Sequence, residues 1–588
     1  MKTQARLIVT SAVLSWIALF PKAYAVSPPP DGGYPGNNTA EGTDALFSLT
    51  GGTNNTATGY FALYYNTTGN YNTANGVDAL FRNTSGHHNT ASGAIALSAN
   101  ITGNYNTATG SFALYSNTTI NGVAGNDNTA NGYQALFYNG TGSQNTASGS
   151  NALHSNTTGN NNTANGYEAL FGPPNHVSTG SNNTANGYRA LYSNNTGHDN
   201  TANGVGALYS NTTINGVAGN NNTANGSQAL GHNTWGSQNT ANGANALYYN
   251  TTGYYNTANG FNALFYNSTG YQNTANGVGA LSNNTTGNVN TATGFQALND
   301  NTSGDYNTAN GVGALLRNTT ASYNTANGDS ALALNTTGPN NTATGYGALY
   351  SNSIGYNNTA SGFTALYYNT TGTGNTAEGF RALLRNSGSN NVGLGVNAGG
   401  NLTTGSGNVC IGAGVLGVDG ESNTTRIRNV YSSVASGRAI YVNSDNKLGT
   451  LASSRRFKDE IKPMHKTSEA ILALIPVTFR YKQEIDPEGV PQFGLVAEDV
   501  EKVDPELVTR NEKGEAETVR YEAVNAMLLN EFLKEHRTVQ EQGATIAELK
   551  KEITSLATTV REQAAQIQKV SARLEMTEPS AKVVVNNP

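Results

Sequence analysis

The sequence predicts a mainly β protein: a parallel β-solenoid (β-roll) repeat stalk, then a C-terminal α+β module that closes on a long coiled-coil helix. Three observations carry this reading. The motif Asn-Thr-Ala-x-Gly recurs from Asn38 to Asn375, mostly at steps of 17 residues. Charged residues are only 12% of the chain, and most of the 31 basic and 37 acidic ones fall after Ser453, so two polymers of different character are joined end to end. Apolar residues from Leu528 onward alternate at spacings of three and four, the heptad pattern of a coiled coil.

The N-terminus reads as a secretory signal over residues 1–25. Lys2 and Arg6 precede an apolar stretch, residues 7–20, and Ala23-Tyr24-Ala25 forms a small-x-small cleavage site. The apolar run is short for a membrane span of about 20 residues. The chain is therefore expected to be exported, cleaved near Ala25, and secreted or held at a cell surface. No later segment is long and apolar enough to cross a bilayer. Residues 26–36 form a Pro/Gly-rich linker.

The repeat occupies residues 37–415. Each unit reads Asn-Thr-Ala-x-Gly-x-x-Ala-Leu-x-x-Asn-Thr-Thr-Gly-x-x. This is too short for a helix pair, and its Asn and Gly content opposes helix; it suffices for two short strands and two turns. Stacked at about 4.8 Å, some twenty coils make a rod on the order of 100 Å. The Gly after Asn-Thr-Ala suits a turn with positive φ. Pairs such as Ala62-Leu63 and Ala79-Leu80 supply small buried groups, and Asn66-Thr67-Thr68-Gly69 is an outer turn. Asn and Thr side chains stack as hydrogen-bonded ladders, which explains the Asn-x-Thr sequons better than glycan attachment. Extra residues at 120–124 and 214–218 share one phase of the repeat, and so one corner of the stack. Cys410, the only cysteine, stands where other units have Ala and reads as a buried small residue. His87-His88 reads as a solvated turn. Tyr60, Tyr64 and Phe81 mark outer aromatic positions suited to sugar binding or to packing between chains.

This region resembles the heads of trimeric autotransporter adhesins (YadA-like), which are built from short Asn- and Gly-rich repeats in a left-handed β-roll. The repeat here is longer than the usual head repeat, and the chain lacks those adhesins' membrane-anchor barrel. The resemblance implies trimers.

Residues 416–452 read as a β connector. The segment that follows is Ser453-Ser454-Arg455-Arg456-Phe457-Lys458. Later come Val477-Thr478-Phe479-Arg480-Tyr481, then Gly494-Leu495-Val496-Ala497-Glu498-Asp499, then Pro505-Glu506-Leu507-Val508. As an ordered set these motifs resemble the intramolecular chaperone domain of phage endosialidases and tail spikes, a self-cleaving serine peptidase. The resemblance implies a chaperone/autopeptidase domain over 453–540, overlapped by a coiled-coil helix over 525–578 and followed by a tail, 579–588. It implies cleavage between Ala452 and Ser453, with Ser453 as nucleophile and Lys458 as base. A lysine serves as base only when burial or neighbouring cations lower its proton affinity; Arg455, Arg456 and Lys462 are near in sequence. Ser454 is a rival nucleophile, one residue closer to Lys458. The resemblance favours three strands for the coiled coil.

The expected protein is a secreted or surface fibre precursor, tail-fibre- or adhesin-like, whose chaperone drives homotrimer assembly and is then released. The alternative is a non-cleaving structural or ligand-binding fibre, carbohydrate- or ice-binding, that keeps its coil. The net charge of −6 suggests neither nucleic acid nor an anionic membrane as partner. With no phosphate loop, no clustered metal ligands and no spaced carboxylate pair in the repeats, no cofactor, metal or further enzymatic activity is expected. Partners are further copies of the chain, with a possible cell-surface or glycan ligand.

Overall fold

The computed structural model describes residues 34–172, 178–430, 440–442, 445, 447–450, 452–511 and 513–576. The signal segment, most of the linker and the tail at 579–588 lie outside these residues. The chain divides into two units, 1–433 and 434–588.

The first unit is a parallel β-solenoid. Its strands form one 23-stranded sheet. Each three-residue strand pairs in register with the strand of the next coil, Thr73 beside Thr90, Ala74 beside Ala91 and Asn75 beside Ser92. The period-2 geometry of a strand turns the middle Ala inward, and Ala57, Ala74 and Ala91 are fully buried.

Each coil contributes one strand to the sheet, from Asn-Thr-Ala-x, where the repeat length leads one to expect two. The Gly-x-x-Ala-Leu segment on the other side is built of turns. In the coil that starts at Asn72, Gly76 has φ 140°, Asp78 55° and Leu80 52°. The left-handed conformation costs a non-glycine residue about 1–2 kcal/mol. Backbone bonds between coils hold it: Leu80 N donates to Ala96 O at 3.0 Å, and Asp78 N to Tyr60 O at 2.9 Å. Leu63 and Leu80 are fully buried, so the Ala-Leu pair is the core expected of it.

Two buried asparagine ladders run through the stack. Asn72 Nδ2 donates to Asn55 Oδ1 at 3.1 Å and to Gly86 O at 2.8 Å. Asn83 Nδ2 donates to Asn66 Oδ1 at 2.8 Å and to the same Gly86 O at 3.1 Å. One glycine carbonyl thus ties both ladders together inside each coil. A Cβ on Gly86 would lie 2.3 Å from Asn83 Oδ1 and 2.4 Å from Gly103 O, so only glycine fits. These asparagines are buried, which leaves Asn66 and its equivalents in the Asn-Thr-Thr turns no room to carry a glycan.

Outside the ladders, aromatic side chains stack coil on coil. Phe137, His154 and Phe171 lie at 5.1 and 4.9 Å between centroids, and Phe171, Tyr192 and Tyr209 continue the column. His88 stacks between Tyr71 and Tyr105, and His87 Nδ1 accepts from Asn70 N at 3.0 Å. The His87-His88 pair is therefore built into the stack and is not a merely solvated turn. The extra residues of two coils form antiparallel hairpins, Thr119–Ile120 with Val123–Ala124 and Thr213–Ile214 with Val217–Ala218.

The last coil departs from the repeat. Asn408 Oδ1 accepts from Thr424 N and Oγ1, at 3.1 and 2.9 Å, so the asparagine ladder ends on a hydroxyl. Arg426 takes the position beside Cys410 that Ala holds elsewhere, and it pairs with Glu421 at 2.7 Å. Arg428 lies against Gly412, where earlier coils set glycine against glycine. Cys410 itself is fully buried, and burial raises its thiol pKa.

Two outcomes follow for stability. Leu80→Asp places an unpaired charge in a closed core, and Asn256→Leu strands Asn273 N, which Asn256 Oδ1 now accepts from, and leaves Gly270 O with Asn267 as its one amide donor. Each stranded group costs about 1–3 kcal/mol, so calorimetry of either variant should show a lower melting temperature than wild type. Burial lowers the pKa of His154 to about 4 from its ordinary 6.5. The neutral ring therefore stabilises the stack fully above pH 6.5, and that contribution is lost as pH falls through about 4. His154→Phe should flatten the pH dependence of melting across that window.

Candidate functional site

The segment around Ser453 follows a small antiparallel pair, Tyr441–Val442 with Leu448–Gly449. Ala452 and Ser453 are exposed. Ser454 then caps a single 3₁₀ turn, Arg455–Phe457. Phe457 N donates to Ser454 O at 3.0 Å, and Lys458 N to Arg455 O at 3.1 Å. A turn rising about 2 Å per residue folds the five-residue separation back on itself, and Lys458 Nζ donates to Ser453 Oγ at 3.3 Å. The spacing read from the sequence thus becomes a contact between the two side chains.

Two of the three neighbouring cations are engaged elsewhere. The Arg456 guanidinium lies over the Phe457 ring, 4.7 Å from its centroid, and Lys462 reaches Glu460 at 3.4 Å. Both Ser453 and Lys458 are exposed in the single chain.

Further along the chain is a small core in which Ala497, Val500, Leu507, Val508, Val519 and Met527 are buried together. It is framed by two hairpins, Val477–Phe479 with Gln492–Gly494 and Val508–Arg510 with Ala516–Val519, and by the short helix Ala497–Val503. Tyr521 Oη accepts from Leu495 N at 3.0 Å. A Cβ on Gly494 would meet that hydroxyl at 2.8 Å, which is why the Gly-Leu-Val-Ala segment opens on glycine.

The helix Tyr521–Glu575 is 55 residues long, about 80 Å at 1.5 Å per residue. Its first turns dock on the 3₁₀ segment His465–Ala473 through a polar knot that sequence reasoning missed. Ser468 is fully buried; its Oγ donates to Glu531 and accepts from Asn530 Nδ2 at 2.6 Å. Lys534 adds ion pairs to Glu531 at 2.7 Å and to Glu469 at 3.3 Å. The pair Asn530-Glu531 on a helix otherwise striped with apolar residues was the available signal. Beyond the knot the apolar seam is open. Val539, Ile546, Leu549, Ile553, Leu556, Val560, Ile567, Val570 and Leu574 are each 50% exposed or more.

Among the described residues no group of His, Cys, Asp and Glu could hold a metal ion, and no helix is long and apolar enough to cross a membrane.

Residues 453–509 match the protein family described as Chaperone of endosialidase. The match opens on Ser453 and ends before the long helix. That stretch of the second unit is therefore similar to the endosialidase chaperones, and together with the solenoid it fits a tail-fibre-like protein. No curated protein and no solved structure matches the chain, so nothing in the comparisons shows a YadA-like head.

Ser468→Val should detach the start of the long helix, because it leaves Asn530 and Glu531 without their buried partner. Groups stranded in this way cost about 1–3 kcal/mol each. Hydrogen exchange across 521–534 should then speed up, with exchange in the solenoid unchanged.

Proposed function

We propose that the chain is an exported fibre precursor, sent out by the N-terminal signal, whose second unit assembles three chains and then cuts itself free. The observation that carries this reading is the long helix with an open apolar seam, attached to a domain that matches an endosialidase chaperone. A seam of Ile, Val and Leu at alternating three- and four-residue steps is stable in water only against other helices. No second helix of similar length occurs among the described residues, so the partners are further copies of the chain. Three strands is the number the family resemblance favours.

Assembly and cleavage are linked through Lys458. A lysine acts as base once burial lowers its proton affinity, and in the single chain the Ser453–Lys458 pair faces solvent. Closure of three chains around the segment supplies that burial, so the cut waits for assembly. In the cut, Lys458 Nζ takes the Ser453 hydroxyl proton and Oγ bonds to the Ala452 carbonyl carbon. The peptide C–N bond breaks as the proton passes to the Ser453 nitrogen. Water then hydrolyses the Ala452–Ser453 ester, leaving an Ala452 carboxylate and a fragment that begins at Ser453.

The order of events makes biological sense of the repeats. Coils of near-identical sequence can pair one unit out of register, and a terminal trimer fixes the register before the stack forms. Once the template is lost, the fibre is kinetically trapped.

Mass spectrometry of the folded product tests this. A C-terminal fragment starting at Ser453 is expected from wild type. Ser453→Ala and Lys458→Ala should assemble and stay full length, and Ile553→Asp should impair both assembly and cutting. Only intact chain from a correctly assembled wild type would reject self-cleavage in favour of a fibre that retains its coil. A cut that persists in Ser453→Ala would point to Ser454 or an outside protease.

A further inference from the structure

The solenoid's sheet carries a surface that its packing does not account for. Every strand of the solenoid sheet from Thr39–Glu41 to Thr376–Glu378 begins with an outward Thr, and register sets each Thr beside the next, Thr240 beside Thr257 and Thr257 beside Thr274. The hydroxyls of these strand threonines make no hydrogen bond within the described residues. Threonines of the outer turns do, as when Thr251 Oγ1 donates to Ser268 O at 2.7 Å.

The repeats serve as their own alignment. The outward position after the turn glycine has drifted freely, through Tyr60, Val77, Ala94, Phe261 and Asp329. Strand propensity alone would accept Val, Ile or Tyr in place of Thr, and the later strands do begin with Val392 and Val409. Something other than strand formation has kept the hydroxyl.

A second row lies beside the first. From Thr163–Asn165 to Thr274–Asn276 the third strand residue is always Asn. Neighbouring amides fix one another, Asn203 Nδ2 donating to Asn225 Oδ1 at 2.8 Å, Asn242 to Asn259 at 2.8 Å and Asn259 to Asn276 at 2.7 Å. The outward strand positions bear charge only at the two ends of the Thr row, Glu41 and Glu378. The result is a neutral two-row array of held polar groups.

We infer that this face binds crystalline water: the Thr and Asn rows dock on an ice surface. Coils repeat at about 4.8 Å, and residues two apart on a strand lie about 6.6 Å apart. In tetrahedral water, hydrogen bonds of about 2.75 Å put second-neighbour oxygens about 4.5 Å apart, and the lattice repeats at about 7.3 Å in the perpendicular direction. The mismatch of about 0.3 Å per coil reaches half a lattice step only after about seven coils, roughly the length of the Asn-bearing block. Each hydroxyl contributes little against liquid water, but an array in register adds its contacts without a new entropic cost per contact. Liquid water offers no such lattice, so the selectivity lies in the periodicity. The reading holds whether or not the chain cleaves itself.

The test uses the full chain, and the probe is ice itself. Nanolitre osmometry should show a gap between melting and freezing points with faceted crystals, and fluorescent protein should coat a growing ice hemisphere. Thr240→Lys with Thr257→Lys should cut the freezing gap at least tenfold while circular dichroism stays unchanged. Thr240→Val with Thr257→Val keeps the strand and should lower the gap less. Tyr188→Ser with Tyr266→Ser, off this face, should leave it intact. A folded chain with no freezing gap, or a lysine variant as active as wild type, overturns the inference. So does Thr240→Cys that resists maleimide in the assembled fibre, because the face would then be an interface between copies of the chain.

Discussion

A buried asparagine amide must have its donors and acceptor satisfied, or it costs more than it contributes. In most coils of this solenoid the partners are the asparagine of the neighbouring coil and a glycine carbonyl of the same coil. Asn72 reaches back to Asn55, Asn89 reaches back to Asn72, and the glycine carbonyl between the two ladders closes the circuit inside each coil. The 17-residue period is the length of chain that brings one asparagine over the last. The inward alanines, the glycine turns and the left-handed leucines follow from that requirement. Ala leaves the room the ladders need, glycine lets backbone approach backbone, and Leu at φ near 52° turns its side chain into the gap. A lone coil would carry the strain without the bonds between coils that offset it, so stability belongs to the stack.

Much of this was legible in the sequence, for a physical reason. A periodic structure writes its packing into a periodic sequence, so inward Ala, buried Leu80 and the turn glycine Gly76 could be read by phase alone. The missing second strand could not. Gly-x-x-Ala-Leu alternates well enough to suggest extended chain, and nothing in Leu80 announces a positive φ, because leucine does not favour it; neighbouring coils impose it. The two ladders read as one class of stacking Asn, since their junction at Gly86 O is a three-dimensional fact. At Ser453 the spacing to Lys458 was visible and the 3₁₀ turn that uses it was not. Arg456 and Lys462, near in sequence, turned to Phe457 and Glu460 because local partners were closer.

The two units meet water in different ways. The solenoid closes its repeated Ala-Leu pairs within itself and shows solvent a regular polar sheet, with aromatic columns outside the ladders. The second unit buries a small core and leaves a long helix bare. Among the described residues, the first is complete along its length, and the second reads as part of something larger. Folding in such a chain need not start where stability is greatest. A stack of near-equivalent coils has many starting points and little to choose between them, so a unit that commits early to its partners has an advantage out of proportion to its size.

The final coil gives the stack a definite length. Thr424 donates to the ladder's last amide oxygen and has no amide to carry the ladder on, Arg426 puts a paired cation where the next alanine would sit, and Arg428 fills the place of a turn glycine. A one-dimensional crystal with a clean terminal face would go on recruiting material, from its own chain or from a neighbour's, as open sheet edges do. This one ends on a layer that its own lattice rejects. Its size is counted in the sequence and does not depend on concentration or time, and the same layer distinguishes the rod's two ends.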